Sequence, residues 1–192
     1  MGDEEREEQS QRDYAVLAKD PAFQKSWLEF ARIAAQRDLG NWSFDEAAVV
    51  YHYSTDLNKI RELNKQLREG QPDEHNRALR RLLDKALSKA PAYEGTLFRR
   101  IQVDDLDAFL ERYKEGVTVT EDAFVSTTNS RRSFKARKGN ASFFITGRTG
   151  REIEQISGKP LQHEVLFRTG TRLEILQVNV LETGIEIVAR EA

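Results

Sequence analysis

Apolar residues recur three and four positions apart through the first half of the chain, then alternate with polar ones in the second half. Phe23, Trp27, Phe30 and Ile33–Ala34 form one stripe of a helical pattern running from Tyr14 to Gln36, because such positions share a helix face. Pro21 behind Asp20 fits a first-turn proline after an N-cap, and Gly40 closes the region. Phe44–Tyr53 predicts a second helix, with Asp45 and Glu46 opposite the dipole of its first turn. Asp56–Arg68 predicts a third, closed by Gly70 and Pro72. Asp73–Ala90 predicts a fourth, with a Leu79, Leu82, Leu83 and Leu87 stripe that Pro91 ends.

Beyond Pro91 the period changes. Thr96–Val103 is apolar and β-branched and reads as a strand. A short helix, Leu106–Lys114, runs to Gly116. Val117–Thr120, Ala123–Thr127, Ala141–Thr146, Glu164–Phe167, Arg172–Val180 and Ile185–Arg190 follow as short strand-like runs between Gly, Asn and Pro signals. The prediction is an α+β fold, a helical N-terminal half packed on a compact two-sheet, mainly antiparallel β core. Residues 1–13, with five acids in the first eight, are expected to form a disordered tail. Residues 14–45 read as a helical lead-in and 46–192 as the main domain.

Composition narrows the chemistry. The 192 residues are 39% apolar and 32% charged, with a formal net charge of −2, so the chain as a whole has no bulk attraction to nucleic acid or anionic membrane. There is no cysteine, which removes disulfides, thiolate metal sites and a cysteine nucleophile. His52, His75 and His163 lack ligand spacing, so no metal is expected. No apolar run has membrane-spanning length, and no membrane partner is expected. The acidic start cannot act as a secretory signal, and Arg6 stands where a myristoylation motif wants Ser or Thr.

Three polar groups interrupt the apolar strands. Arg99 lies in Leu97-Phe98-Arg99-Arg100-Ile101, where a guanidinium needs an anionic partner or a path to solvent. Ser126-Thr127-Thr128 leaves an apolar strand with hydroxyls able to orient a neighbour or a ligand. Gln162 and Glu164 flank His163, and on an extended strand both would face the same way. Taken alone, each motif reads better as an outward-facing polar group, a threonine-rich strand end or a structural ion pair than as a site.

Their order carries more. Arg, then Ser-Thr-Thr, then Gln-x-Glu resembles the arginine–serine–glutamate signature of the ADP-ribosyltransferase superfamily, in its C3-like and cholera-like branch. Tyr53-Ser54 with Asn64 and Arg68, Tyr93–Arg99, Gly116–Phe124 and Glu164–Arg172 are similar to further segments of that family, over about Val50 to Val180. The resemblance implies NAD as substrate, no metal, and residues 46–192 as the catalytic domain. It implies that Glu164 is the catalytic carboxylate and that Ser126 orients it. It also implies that Arg99 binds a phosphate and that the backbone of Arg100 takes the nicotinamide carboxamide, although the family usually has glycine there. Asn64 and Arg68 would grip ribose and phosphate. Phe134 and Arg137 would lie on a mobile loop over nicotinamide and diphosphate, Thr127 would line the pocket, and Gln155–Leu161 would face the acceptor.

Family members with Glu at the position of Gln162 typically modify arginine, so Gln162 implies a different acceptor. A protein side chain is favoured over RNA or DNA, although Arg131–Lys138 places five basic groups and an aromatic in eight residues. Water as acceptor, giving an NAD glycohydrolase, and a non-catalytic binding module are the remaining readings. A toxin or effector of this kind implies delivery by a specialised system without its own signal peptide, action in the target-cell cytoplasm, and a cognate immunity protein.

Overall fold

The computed structural model describes residues 2–192. Residues expected to be a disordered tail are helical: α1 spans Asp3–Leu17. Its Glu, Gln and Arg residues are good helix formers, and Asp3, Glu4 and Glu5 oppose the dipole of the first turn. The Gly2 amide donates to Glu5 Oε2 at 2.9 Å. Asp13, 2% exposed, accepts two bonds from the Arg81 guanidinium at 2.8 and 2.6 Å. Lys85 reaches Glu7 and Ser10, and Leu17 is fully buried. The acids that read as a solvated tail stay exposed, on a helix whose buried residues are Ser10, Asp13 and Leu17.

The chain divides into two units. The first is the helical segment to Ala90 together with Gln155–Pro160; the second is Pro91–Glu154 with Leu161–Ala192. The segment 46–90, expected to belong with the strands, groups with the helices before it.

In the helical unit, α2 (Pro21–Ile33) starts as expected, with Asp20 Oδ1 accepting from Ala22 N at 2.9 Å. α3 (Phe44–Thr55) carries a capping box in which Ser43 and Glu46 satisfy each other's amides. α4 (Leu57–Arg68) and α5 (Glu74–Lys89) end within a residue or two of their predicted bounds. Leu79, Leu82, Leu83 and Leu87 are all essentially buried, and each contributes about 1.5–3 kcal/mol by leaving water. The Trp42 indole donates to Ala86 O at 2.6 Å, tying the loop before α3 to α5. His52 of α3 is 1% exposed, with Nδ1 2.9 Å from Ser26 Oγ and the ring edge-on to Phe23.

The second unit holds β1 (Ala92–Ile101), α6 (Leu106–Arg112), β2 (Thr118–Glu121), β3 (Val125–Thr128), α7 (Arg131–Ala136), β4 (Ala141–Glu152), β5 (Glu164–Phe167), β6 (Thr171–Leu181) and β7 (Gly184–Glu191). The strand order is β1-β3-β5-β4-β7-β6-β2 with an added β1–β4 ladder. Thus β1, β3, β5 and β4 close on one another, and β7, β6 and β2 extend from β4. All seven strands belong to one sheet, which the β1–β4 ladder folds back on itself at one end. All pairings are antiparallel except β4–β7. Leu97, Ile145, Val165, Phe167, Ile175 and Ile187 fill the core between them.

Candidate functional site

The site is built on β1, β3 and β5. Antiparallel pairing sets Ser126 opposite Leu166 and Thr128 opposite Glu164. Ser126 and Glu164 are therefore diagonal neighbours on one face, within reach of each other. Ser126 Oγ donates to Glu164 Oε1 at 2.5 Å. Glu164 is 8% exposed. Arg99, on β1, donates through Nη1 to the Ser126 carbonyl at 2.9 Å. Ser126 is thus the hub: its hydroxyl meets the carboxylate and its carbonyl meets the guanidinium.

The neighbouring threonines brace this arrangement. Thr127 Oγ1 donates to Val165 O at 2.6 Å inside the core. Thr128 Oγ1 donates to Gln162 O at 2.8 Å and accepts from Ser130 N at 3.1 Å. Thr127 therefore locks β3 to β5 with its own side chain, and Thr128 fixes the turn that leads into Glu164.

Gln162 does not sit as the period-two argument expected. It closes a 3₁₀ turn, Pro160–Gln162, and β5 begins only at Glu164. Between them His163 has φ of +48°, the left-handed region. A left-handed residue breaks the alternation, so Gln162 and Glu164 are not i and i+2 of one strand. His163 Nδ1 lies 3.0 Å from Glu154 Oε1 and Asn129 N donates to His163 O, so the turn is held on both sides. No sequence signal marked His163.

Of Ser133–Lys138, expected to be a mobile loop, Ser133–Ala136 lies in the helix α7. Phe134 is 8% exposed, packed against Phe98 and Phe144 with ring centroids 5.5 and 5.6 Å away. The Arg100 guanidinium stacks on Phe134 at 4.3 Å and donates to Ser142 Oγ and Arg137 O. The Arg100 side chain is thereby held within this aromatic cluster. Arg137 follows α7 as its C-cap. Asn64 and Arg68 lie in the last two turns of α4, in the helical unit.

Gln155–Leu161, the expected acceptor-facing turn, belongs to the helical unit over Gln155–Pro160. Ile156 and Ser157 are buried. Gly158 N donates to Ser54 Oγ at 2.9 Å, and Arg37 Nη1 reaches Gln155 O at 3.4 Å. A Cβ at Gly158 would lie 2.2 Å from Thr55 Cγ2, so only glycine fits there. Leu161, immediately after, is 85% exposed. The Ser54 anchor could have been suspected only from the glycine, since a serine near a helix end has many uses.

The model of the ADP-ribosyltransferase exoenzyme family matches residues 24–189. Mav of Mycobacterium avium, described as a candidate NAD+–arginine ADP-ribosyltransferase, is 35% identical over 147 residues, covering 75% of this chain and 17% of Mav. The NAD+–protein-arginine ADP-ribosyltransferase Tre1 of Serratia proteamaculans is 28% identical over 157 residues, covering 79% of this chain and 34% of Tre1. The chain therefore spans about a third or less of the curated relatives it matches. The crystal structure of the ADP-ribosyltransferase HopU1 of Pseudomonas syringae has the same fold, with a TM-score of 0.78 at 19% identity, over 96% of this chain and 97% of that one.

Proposed function

Because this chain belongs to the ADP-ribosyltransferase exoenzyme family, we propose that it transfers ADP-ribose from NAD to a macromolecular acceptor, with Glu164 as the catalytic carboxylate. The observation that carries this reading is the 2.5 Å bond from Ser126 Oγ to a nearly buried Glu164. In the reaction the bond between nicotinamide nitrogen and ribose C1′ breaks, and its electron pair leaves with nicotinamide. The acceptor nucleophile then bonds to C1′ and loses its proton. Positive charge on the ribose peaks in the transition state, so a fixed carboxylate stabilises that state more than the substrate. Ser126 positions the carboxylate, and Arg99 positions Ser126 through its carbonyl.

The remaining contacts to NAD are assigned in the same reading. Arg99 and Arg137 would hold the phosphates, and the Arg100 backbone and Phe134 would form the nicotinamide side, whereas Thr127, expected to line the pocket, is fully buried and bonded to Val165 O. The names of Mav and Tre1 carry arginine as acceptor. Gln162, where arginine-directed members resemble one another in having glutamate, supports a different acceptor side chain here. A neutral amide can orient a nucleophile but cannot take its proton. A role as a delivered toxin or effector acting in a target cell, with a cognate immunity protein in the producer, fits the exoenzyme family.

The test is labelled NAD with cell lysate, for the wild type and for Glu164→Gln. Label that needs Glu164 and is removed by protease supports the proposal. Label removed only by RNase moves the acceptor to nucleic acid, and free ADP-ribose alone makes the chain a glycohydrolase. Absence of NAD turnover refutes the enzyme reading. An arginine analogue offered as acceptor tests Gln162 directly, since efficient labelling of it would refute the non-arginine assignment.

A further inference from the structure

The helical unit holds a concavity of its own, bordered by three helices. Tyr14 of α1 and its C-cap Ala18 stand one turn apart, as do Phe23 and Trp27, and Gln24 and Leu28, on α2. Residues four apart share a helix face, so each pair presents one row to the same side. These rows, with Asp45 in the first turn of α3, border a space of about 500 Å³, a size that suits a small ligand. Gln24 Nε2 donates to Ala18 O at 2.5 Å and ties one wall to the other.

The lining is apolar and aromatic, with a single formal charge. Tyr14, Phe23 and Trp27 supply rings, and Leu28 is an exposed apolar side chain at the rim. Asp45 is the one charged side chain of the lining. It accepts a long bond of 3.4 Å from the Trp27 indole and enters no ion pair among the described residues. The neighbouring acids do pair: Glu46 with Lys89 at 2.8 Å and Glu7 with Lys85 at 3.2 Å. The Tyr14 phenol registers the sign of the field. Burial pushes its pKa well above the ordinary 10, and Asp45, Glu46 and Glu7 add in the same direction. An anion is repelled from such a space. A neutral ligand strips water from the Asp45 carboxylate and returns no partner for it. A cation meets the carboxylate and also the negative faces of the indole and phenol rings, while its apolar body covers Phe23, Ala18 and Leu28.

We propose that this pocket binds a small organic cation, a quaternary or alkylated ammonium carried on an apolar body, with Asp45 meeting the charge and Trp27 and Tyr14 flanking it. The proposal does not depend on the transferase reading.

Calorimetric titration of the full chain tests it with three probes of one aromatic body and different charge: benzyltrimethylammonium, benzyl alcohol and benzoate. The cation is expected to bind, the alcohol at least roughly tenfold more weakly, and the benzoate not at all. Asp45→Asn, a change at an exposed side chain, should weaken the cation by roughly tenfold and leave the alcohol within about twofold. Ala18→Phe should block the cation by filling the space. It serves as the second variant should Asp45→Asn fold poorly, and melting curves of both establish folding. Equal affinity for cation and alcohol overturns the proposal, since that marks an apolar cleft without charge selection. So does unchanged cation affinity in either folded variant, or a wild type that takes up none of the cation.

Discussion

Acidification should loosen the helical unit through His52. Burial holds its imidazole neutral and pushes its pKa from the ordinary 6.5 down to about 4, with Asp56 and Asp20 pulling the other way and His75 and Lys59 assisting. The folded chain therefore takes up this proton less readily than the unfolded chain. Stability is full above pH 6.5 and is lost as pH falls toward 4. The whole linkage amounts to about 3 kcal/mol, at about 1.4 kcal/mol per pH unit, and roughly 2 kcal/mol of it is gone by about pH 5. His75 is shifted down by burial as well and adds in the same direction. Both tryptophans, Trp27 and Trp42, lie in the helical unit, so urea unfolding followed by tryptophan fluorescence reports this unit. His52→Gln removes the titration while keeping a polar partner for Ser26. Its stability should fall less than that of wild type between pH 7 and about pH 5, by roughly 2 kcal/mol. Parallel curves for the two proteins would refute the assignment.

Ser126→Ala should lower NAD turnover by roughly ten- to a hundredfold while costing about 1 kcal/mol of stability; initial rates beside a melting curve check the split. Gly158→Ala should destabilise the chain by roughly 1–3 kcal/mol, because its Cβ would lie 2.2 Å from Thr55 Cγ2. Adding Thr55→Ser, which removes that methyl, should recover part of the loss in the same denaturation experiment. Arg81→Ala leaves the buried Asp13 carboxylate without its guanidinium. The cost should be roughly 1–3 kcal/mol, discounted because Arg81 is half-exposed, and limited proteolysis should then cut within α1 faster than in wild type.

Periodicity located nearly every element of the chain because most have a buried face. The Leu79–Leu87 stripe and the Glu164–Phe167 run are legible for that reason. It failed where a local rule was overridden. Residues 3–17 are polar nearly all round, and their helix depends on long-range partners such as Arg81 and Lys85, which no local pattern encodes. β4 runs on through Gly147 and Gly150, where the Phe167 and Val165 side chains press against the backbone, and glycine read locally marks a break. The Ser126–Glu164 pair is legible only through the family resemblance that the order Arg, Ser-Thr-Thr, Gln-x-Glu carries, since no local pattern links a hydroxyl to a carboxylate 38 residues away. The orientation of Gln162 is not, since it hangs on one left-handed backbone angle at His163.

The excursion of Gln155–Pro160 alters what counts as a boundary in this molecule. The chain passes between its two units three times, after Ala90, after Glu154 and after Pro160. A single cut in the Ala90–Pro91 connection would leave the other two crossings covalently intact. A downstream fragment would carry a short plug whose Ile156 has no solvent-exposed surface in the whole chain, and the upstream fragment would hold the vacated cleft around Ser54 and Thr55. Nicked at that point, the protein should behave as a pair of complementing fragments, and neither half should be expressible as an independent module.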